Sequence, residues 1–152
     1  MEAIRFVVFG LAKPAGSKRA FPGKRKDGSL FVNVSDDCET SRDWKNSVAD
    51  AASQAFQGPL LSGPLRVKFD IYRPRLVGHY GTGKNAAVLK RSAPAYPTAR
   101  PDVLKLARAI EDAITGIVWR DDAQIVDERL AKHWGEPARV EVSIEVLSEA
   151  SS

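Results

Sequence analysis

One cysteine, Cys38, stands in the 152 residues, and a single cysteine excludes an internal disulfide. Histidine is nearly as scarce: His79 and His133 are the whole supply, too few for the Cys and His sets that build structural zinc sites. No apolar run approaches the roughly 18–20 residues a membrane span needs. The opening segment, MEAIRFVVFGLAKP, has no basic lead before a long apolar stretch, so the expectation is a cytoplasmic protein that is neither exported nor held in a membrane. With 43% hydrophobic and 28% charged residues, the composition excludes a disordered tail. No internal repeat is present. The length suits one packed core, expected over residues 1–148, with the ending SEASS marking a frayed tail whose bounds are set at 149–152.

Acids are missing from two long stretches. Between Lys13 and Lys26 stand six bases and no acid; between Asp70 and Asp102 stand six more, again with no acid among them. More than half of the 23 Lys and Arg therefore lie in two basic segments. A net charge of +4 says little alone, but this segregation suits an anionic partner. Lys18, Arg19, Lys24 and Arg25 come from the first stretch, and Lys84, Lys90 and Arg91 from the second.

Periodicity supplies the elements. IRFVVFG at 4–10 and SLFVNV at 29–34 read as strands, and the Pro- and Gly-rich basic segment between them reads as an exposed loop. Thr40 and Asp43 resemble a capping box opening a helix at about 40–57, in which Trp44, Val48, Ala52 and Phe56 recur on one face. LRVKFDIYR at 65–73 and RVEVSIEV at 139–146 alternate as half-buried strands. Residues 74–99 lack periodicity, and a loop of that length in a compact domain is usually functional. Pro101 and Asp102 open an amphipathic helix that stops at Gly116, while 124–134 reads as either a strand or an irregular extended segment. The expected fold is α+β (α/β): a single domain with a mixed four- to five-stranded sheet packed by two main helices on one face.

The densest potential chemistry lies in RPDVLKLARAIEDAITGIVWRDDAQIV, residues 100–126. Asp102 stands at a helix start, and Asp121 with Asp122 follows an apolar triplet. Hard divalent cations such as Mg²⁺ take oxygen ligands, usually one or two carboxylates completed by water and phosphate. Beside two basic loops, such a cluster points to a metal-assisted nuclease. A plainer account stands alongside: the helix dipole favours an acid at position 102, and an Asp-Asp pair is common in turns.

The same segment resembles the signature region of the RusA-type Holliday junction resolvases, the crossover junction endodeoxyribonucleases, especially phage-type members. Pro101, Asp102, Lys105, Arg108, Asp112, Ala113, Val118, Trp119, Asp121, Asp122 and Gln124 match it, and GLAKPAGSKRAFP, the Arg42–Val48 helix and the Lys132 segment extend the likeness over about residues 4–147. The resemblance implies a RusA-like fold, Mg²⁺ (with Mn²⁺ as a substitute), four-way DNA junctions as substrate in recombination and repair, and a homodimer. It makes Asp102 and Asp122 principal metal ligands, Asp121 an alternative ligand, and Arg108 the neutraliser of the scissile phosphate. Lys18, Arg19, Lys24, Arg25, Lys84, Lys90 and Arg91 would hold DNA backbone, which gives affinity without sequence readout. Phe21 and Tyr80 are candidates to wedge or stack at the junction, or simply to pack.

One departure matters. Where the family usually has a second aspartate, two residues after the first, this chain has Leu104. At about 100° per residue, Glu111 lies about 20° from position 104 and roughly 10 Å along the helix, so it is the candidate replacement ligand; its plainer role is a helix ion pair with Arg108 or Lys105. Two functions follow: a resolvase with a rearranged carboxylate set, or an attenuated or inactive protein that binds branched DNA.

Overall fold

The computed structural model describes residues 2–15, 18–24, 26–27, 30–36 and 39–148, with side chains described for 2–15, 26–27 and 41–148. Cys38 and the 149–152 tail lie outside the described residues. Strands β1 (Ile4–Phe9), β4 (Leu65–Arg73), β5 (Ile125–Trp134) and β6 (Arg139–Val146) form a mixed sheet in the order β1-β6-β4-β5. Strands β2 (Lys18–Lys24) and β3 (Leu30–Asp36) pair as a separate antiparallel ribbon. Helices α1 (Glu39–Ala55) and α2 (Val103–Ile114) pack on each other, α1 also against β1 and α2 against β5.

Alternation in β4 builds the core. Leu65, Val67, Phe69 and Ile71 are fully buried toward the helices, as are Val140 and Ile144 of β6. The helices answer with stripes spaced by three and four residues: Trp44, Val48 and Ala52 on α1, and Leu106, Ala109, Ile110 and Ile114 on α2. The opposite sheet face is wet and charged, laced by Arg66–Asp127 at 2.7 Å, His133–Asp70 at 2.8 Å and Arg139–Glu141 at 2.9 Å.

Strand β5 runs parallel to β4, and a parallel neighbour requires a crossover. Residues 74–102 and α2 are that crossover, so α2 lies over the sheet beside β5, its start near the end of the strand. The 74–99 segment forms no long strand or helix; its order comes from 3₁₀ turns at Val77–His79 and Gly83–Asn85 and a bridge between Tyr80 and Leu89.

Two expectations need revision. The stretch read as a loop contains β2, despite Pro22 and Gly23. Both strands of a two-stranded ribbon are edges, where proline is admitted, and backbone pairing with β3 over Lys18–Asp36 to Lys24–Leu30 overrides the turn-rich composition. The segment 124–134, left open between strand and irregular chain, is strand over ten residues. Helix α1 begins at Glu39, so Thr40 lies inside it rather than before it.

Candidate active site

Helix α2 begins at an N-cap, Asp102, whose own side chain makes no capping hydrogen bond. Its carboxylate is exposed and makes no capping hydrogen bond, while its place at the helix start still meets the positive end of the helix dipole. The turn before it is clamped from β5: Lys132 Nζ donates to the carbonyls of Ala99 and Pro101, both at 3.0 Å. The root of the first basic stretch docks close by, where Ala15 N donates to Lys105 O at 3.0 Å. One end of α2 therefore gathers Asp102, a lysine-held turn and the approach to the basic ribbon.

The other end of α2 is acidic. Glu111 is half-buried, and its carboxyl lies within hydrogen-bond reach of Glu128 on β5. Burial, Glu128, Asp122 and Asp112 together push the Glu111 carboxyl up to about 8. Every charged neighbour that moves it is an acid, so the helix ion pair with Arg108 or Lys105 is not what this residue does. Asp112 instead faces Lys45 at 3.7 Å. Asp122 is also raised, by burial first and then by Asp121 and Asp112.

The turn carrying the aspartate pair is built from a short list of contacts. After α2, Gly116 adopts φ +88°, a conformation that favours glycine, and its N–H donates to Trp119 O at 2.7 Å. Buried Trp119 donates from Nε1 to Thr115 Oγ1 at 2.9 Å. Asp121 then caps the 3₁₀ turn at 122–124: its Oδ1 accepts from Ala123 N at 2.9 Å, and Gln124 Oε1 accepts from Asp121 N at 3.0 Å. Gln124 Nε2 reaches back to the carbonyls of Leu61 and Gly63. Asp121 thus caps the turn, and Asp122 stands exposed on the surface beside it, among the acids Asp121, Asp112 and Glu111.

Leu104 is 67% exposed on the first turn of α2. Asp102 and Glu111 are nine residues apart, roughly 13 Å along the helix axis, far more than the coordination sphere of one Mg²⁺ spans at about 2.1 Å per ligand. Among the described residues, no three His, Cys, Asp or Glu side chains converge as a metal-holding group. The candidate ligands therefore divide: Asp102 at one end, and Glu111 with Asp122 and Asp121 at the other. Within each group the donors are all carboxylate oxygens, matching a hard cation that takes one or two carboxylates and completes its shell from water and phosphate.

Glu128 was absent from the candidates read from the sequence. In the β4–β5 register, Glu128, Leu130 and Lys132 pair with Val67, Phe69 and Ile71, so they share the helix-side face. Charged residues at core-facing positions are what broke the alternation of this strand, and that break was the available signal. Arg108 is exposed on α2; Lys84, Lys90 and Arg91 are exposed on the 74–99 segment. Lys18, Arg19 and Lys24 lie on β2 with side chains outside the described set, as does that of Phe21, and Arg25 lies outside the described residues altogether.

The crowded carboxyl has a pH signature. A group whose proton is held more tightly in the folded than the unfolded chain contributes stability that is complete below the unfolded value, near 4.5, and lost as pH climbs through about 8. Chelator-treated protein should therefore lose about 1–2 kcal/mol, allowing for solvent screening of a half-buried group, between pH 5 and 9. Thermal melts across that range should show a drop of a few degrees. Glu111→Gln should flatten the slope; a variant that melts with the parent's pH dependence would refute the crowding at Glu111 as its source.

Uncharacterized protein YqaN of Bacillus subtilis (strain 168) is 29% identical over 148 residues, covering 97% of this chain and 99% of that protein. The family model described as endodeoxyribonuclease RusA matches residues 13–145, which include the β2–β3 ribbon, both helices and the acidic edge. The chain belongs to the RusA endodeoxyribonuclease family.

Proposed function

We propose that this protein is a structure-specific, Mg²⁺-dependent endonuclease that resolves four-way DNA junctions by paired symmetric cleavage, with Mn²⁺ as a substitute. The observation that supports catalysis is the acidic edge, where the Glu111 carboxyl lies within hydrogen-bond reach of Glu128 and is pushed up by burial first and then by Glu128, Asp122 and Asp112. Repulsion of that kind is relieved by a cation. A bound divalent ion would supply charge neutralisation at the scissile phosphate and a more acidic water. The chain's residues supply the rest: Asp102 and Asp122 hold the ion, Glu111 and Glu128 set the local charge, and Arg108, about 40° around α2 from position 104, meets the phosphate. Lys84, Lys90 and Arg91, with the basic residues of β2, hold DNA backbone.

The division of the acids also supports a homodimer. Asp102 precedes and Asp122 follows a helix of 12 residues, roughly 18 Å long. A two-fold assembly that sets the α2 start of one protomer against the Asp122 turn of its partner brings both acids to one ion, twice, matching the near two-fold symmetry of a four-way junction.

A second reading, junction binding with attenuated or absent cleavage, is favoured by exposed Leu104 in place of the family's aspartate. A synthetic four-way junction incubated with the protein in Mg²⁺, Mn²⁺ or EDTA separates the two. Symmetric nicks in opposing strands, absent in EDTA, are expected. Tight binding with no nicks in either metal would leave the binder reading standing and remove the nuclease.

A further inference from the structure

At the end of β5 nearest Asp102, a concavity of about 360 Å³ opens between that strand and the 74–99 segment. Arg75, Tyr80, Tyr96, His133, Trp134 and Glu136 line it. Its size falls within the roughly 300–1,000 Å³ typical of small-ligand sites. Four of these six residues carry flat rings, in a chain that is only 8% Phe, Trp and Tyr overall.

The walls are tied together. His79 meets Trp134 edge-on with ring centroids 5.0 Å apart, and the Arg75 guanidinium lies 5.4 Å from the Trp134 ring centroid. The same Arg75 donates from Nη1 to Pro94 O at 2.9 Å, so one side chain braces the strand wall and the opposite wall, Ala95 and Tyr96. His133 is steadied by Asp70 at 2.8 Å and by stacking on Tyr72 at 4.9 Å. Of the four rings, Tyr96 is the exposed one, at 70%. An exposed ring on a braced aromatic pocket, reached through a segment with six bases and no acid, is suited to a flat ligand attached to a polyanion.

We infer that this pocket receives an unstacked DNA base at the branch point, with Tyr96 closing over it. The inference rests on the branched-DNA reading above. The chain from Tyr96 to Asp102 is six residues long and ends at the turn Lys132 clamps, so a base held here would position the adjoining phosphate toward the start of α2. Glu136 offers an acceptor to an amino group on the base edge.

Binding of a fluorescent four-way junction in EDTA, compared with the same junction made abasic at the four crossover nucleotides, tests it. Tyr96→Ala should weaken binding to the intact junction about tenfold and leave the abasic junction unaffected. Tyr96→Phe, which keeps the ring, should retain parental affinity for both. Equal losses on the two junctions, or no loss on either, would overturn the inference while leaving the resolvase reading intact. A parent that binds neither junction would overturn both.

Discussion

Asp122→Asn should lose symmetric junction nicking by about a thousandfold or more while binding the junction within a few-fold of the parent. The substitution keeps size and shape and removes one negative charge. It falls on a side chain outside the capping box, whose hydrogen bonds belong to Asp121 and Gln124, and asparagine can keep the contacts that Asp122 makes to Asp121 and to its own backbone. Loss of a charge that helps hold a metal is worth several kcal/mol of transition-state stabilisation, and about 4 kcal/mol corresponds to the stated factor. Binding depends mainly on cations meeting phosphates, which this change leaves in place. Asp121→Asn is the comparison for the fold: asparagine caps as well as aspartate, so its melting temperature should stay within a few degrees of the parent's. Nicking by Asp122→Asn at the parental rate would refute Asp122 as a ligand.

Trp119→Ala should be the most damaging single change to stability. The indole is completely buried and makes a hydrogen bond to Thr115, while its backbone bridges to Leu61 and to Thr115. Truncating a buried Trp to Ala costs about 3–5 kcal/mol, against a total stability of about 5–15 kcal/mol for a domain. At about 2–4 °C per kcal/mol, the melting temperature should fall by roughly 10 °C or more. Trp119→Phe refills most of the space and loses chiefly the hydrogen bond, so it should recover the greater part of that loss. A melt of Trp119→Ala within about 2 °C of the parent would show that the indole does not support the turn it appears beneath.

These two residues illustrate what was legible beforehand. The burial of Trp119 and its hydrogen bond to Thr115 were not legible, whereas its place closing a short apolar triplet after α2 was. Likewise β4 and β6 alternate cleanly because one face of each meets the helices and the other meets water. Strand β5 alternates poorly for a physical reason: Glu128 and Lys132 occupy core-side positions of an edge strand, where one confronts Glu111 and the other ties down the turn before Asp102. Those charges, held by contacts to α2 and to the turn before it, break the pattern that would have identified the strand. Strand β2 was hidden differently, since its proline, glycine and charges carry turn chemistry and only its pairing with β3 makes it a strand. The separation of Asp102 from Asp122 by a helix length was readable from the helix expected between Pro101 and Gly116; that Glu128 of β5 meets Glu111 at the Asp122 end was not, because it depends on the pairing of β5 with β4.

The parallel pairing of β4 with β5 has a kinetic consequence. Arg66 and Asp127 meet across a sequence separation of 61, and closing a loop of that length is entropically costly before any contact rewards it. The antiparallel ribbon of β2 and β3 pairs neighbours only, so it can form early. Strand β5 can join only after the crossover has delivered α2 to the sheet. The acidic edge should therefore be among the last features to assemble during folding, with its mutually repelling carboxylates brought together once the hydrophobic core able to withstand them already exists.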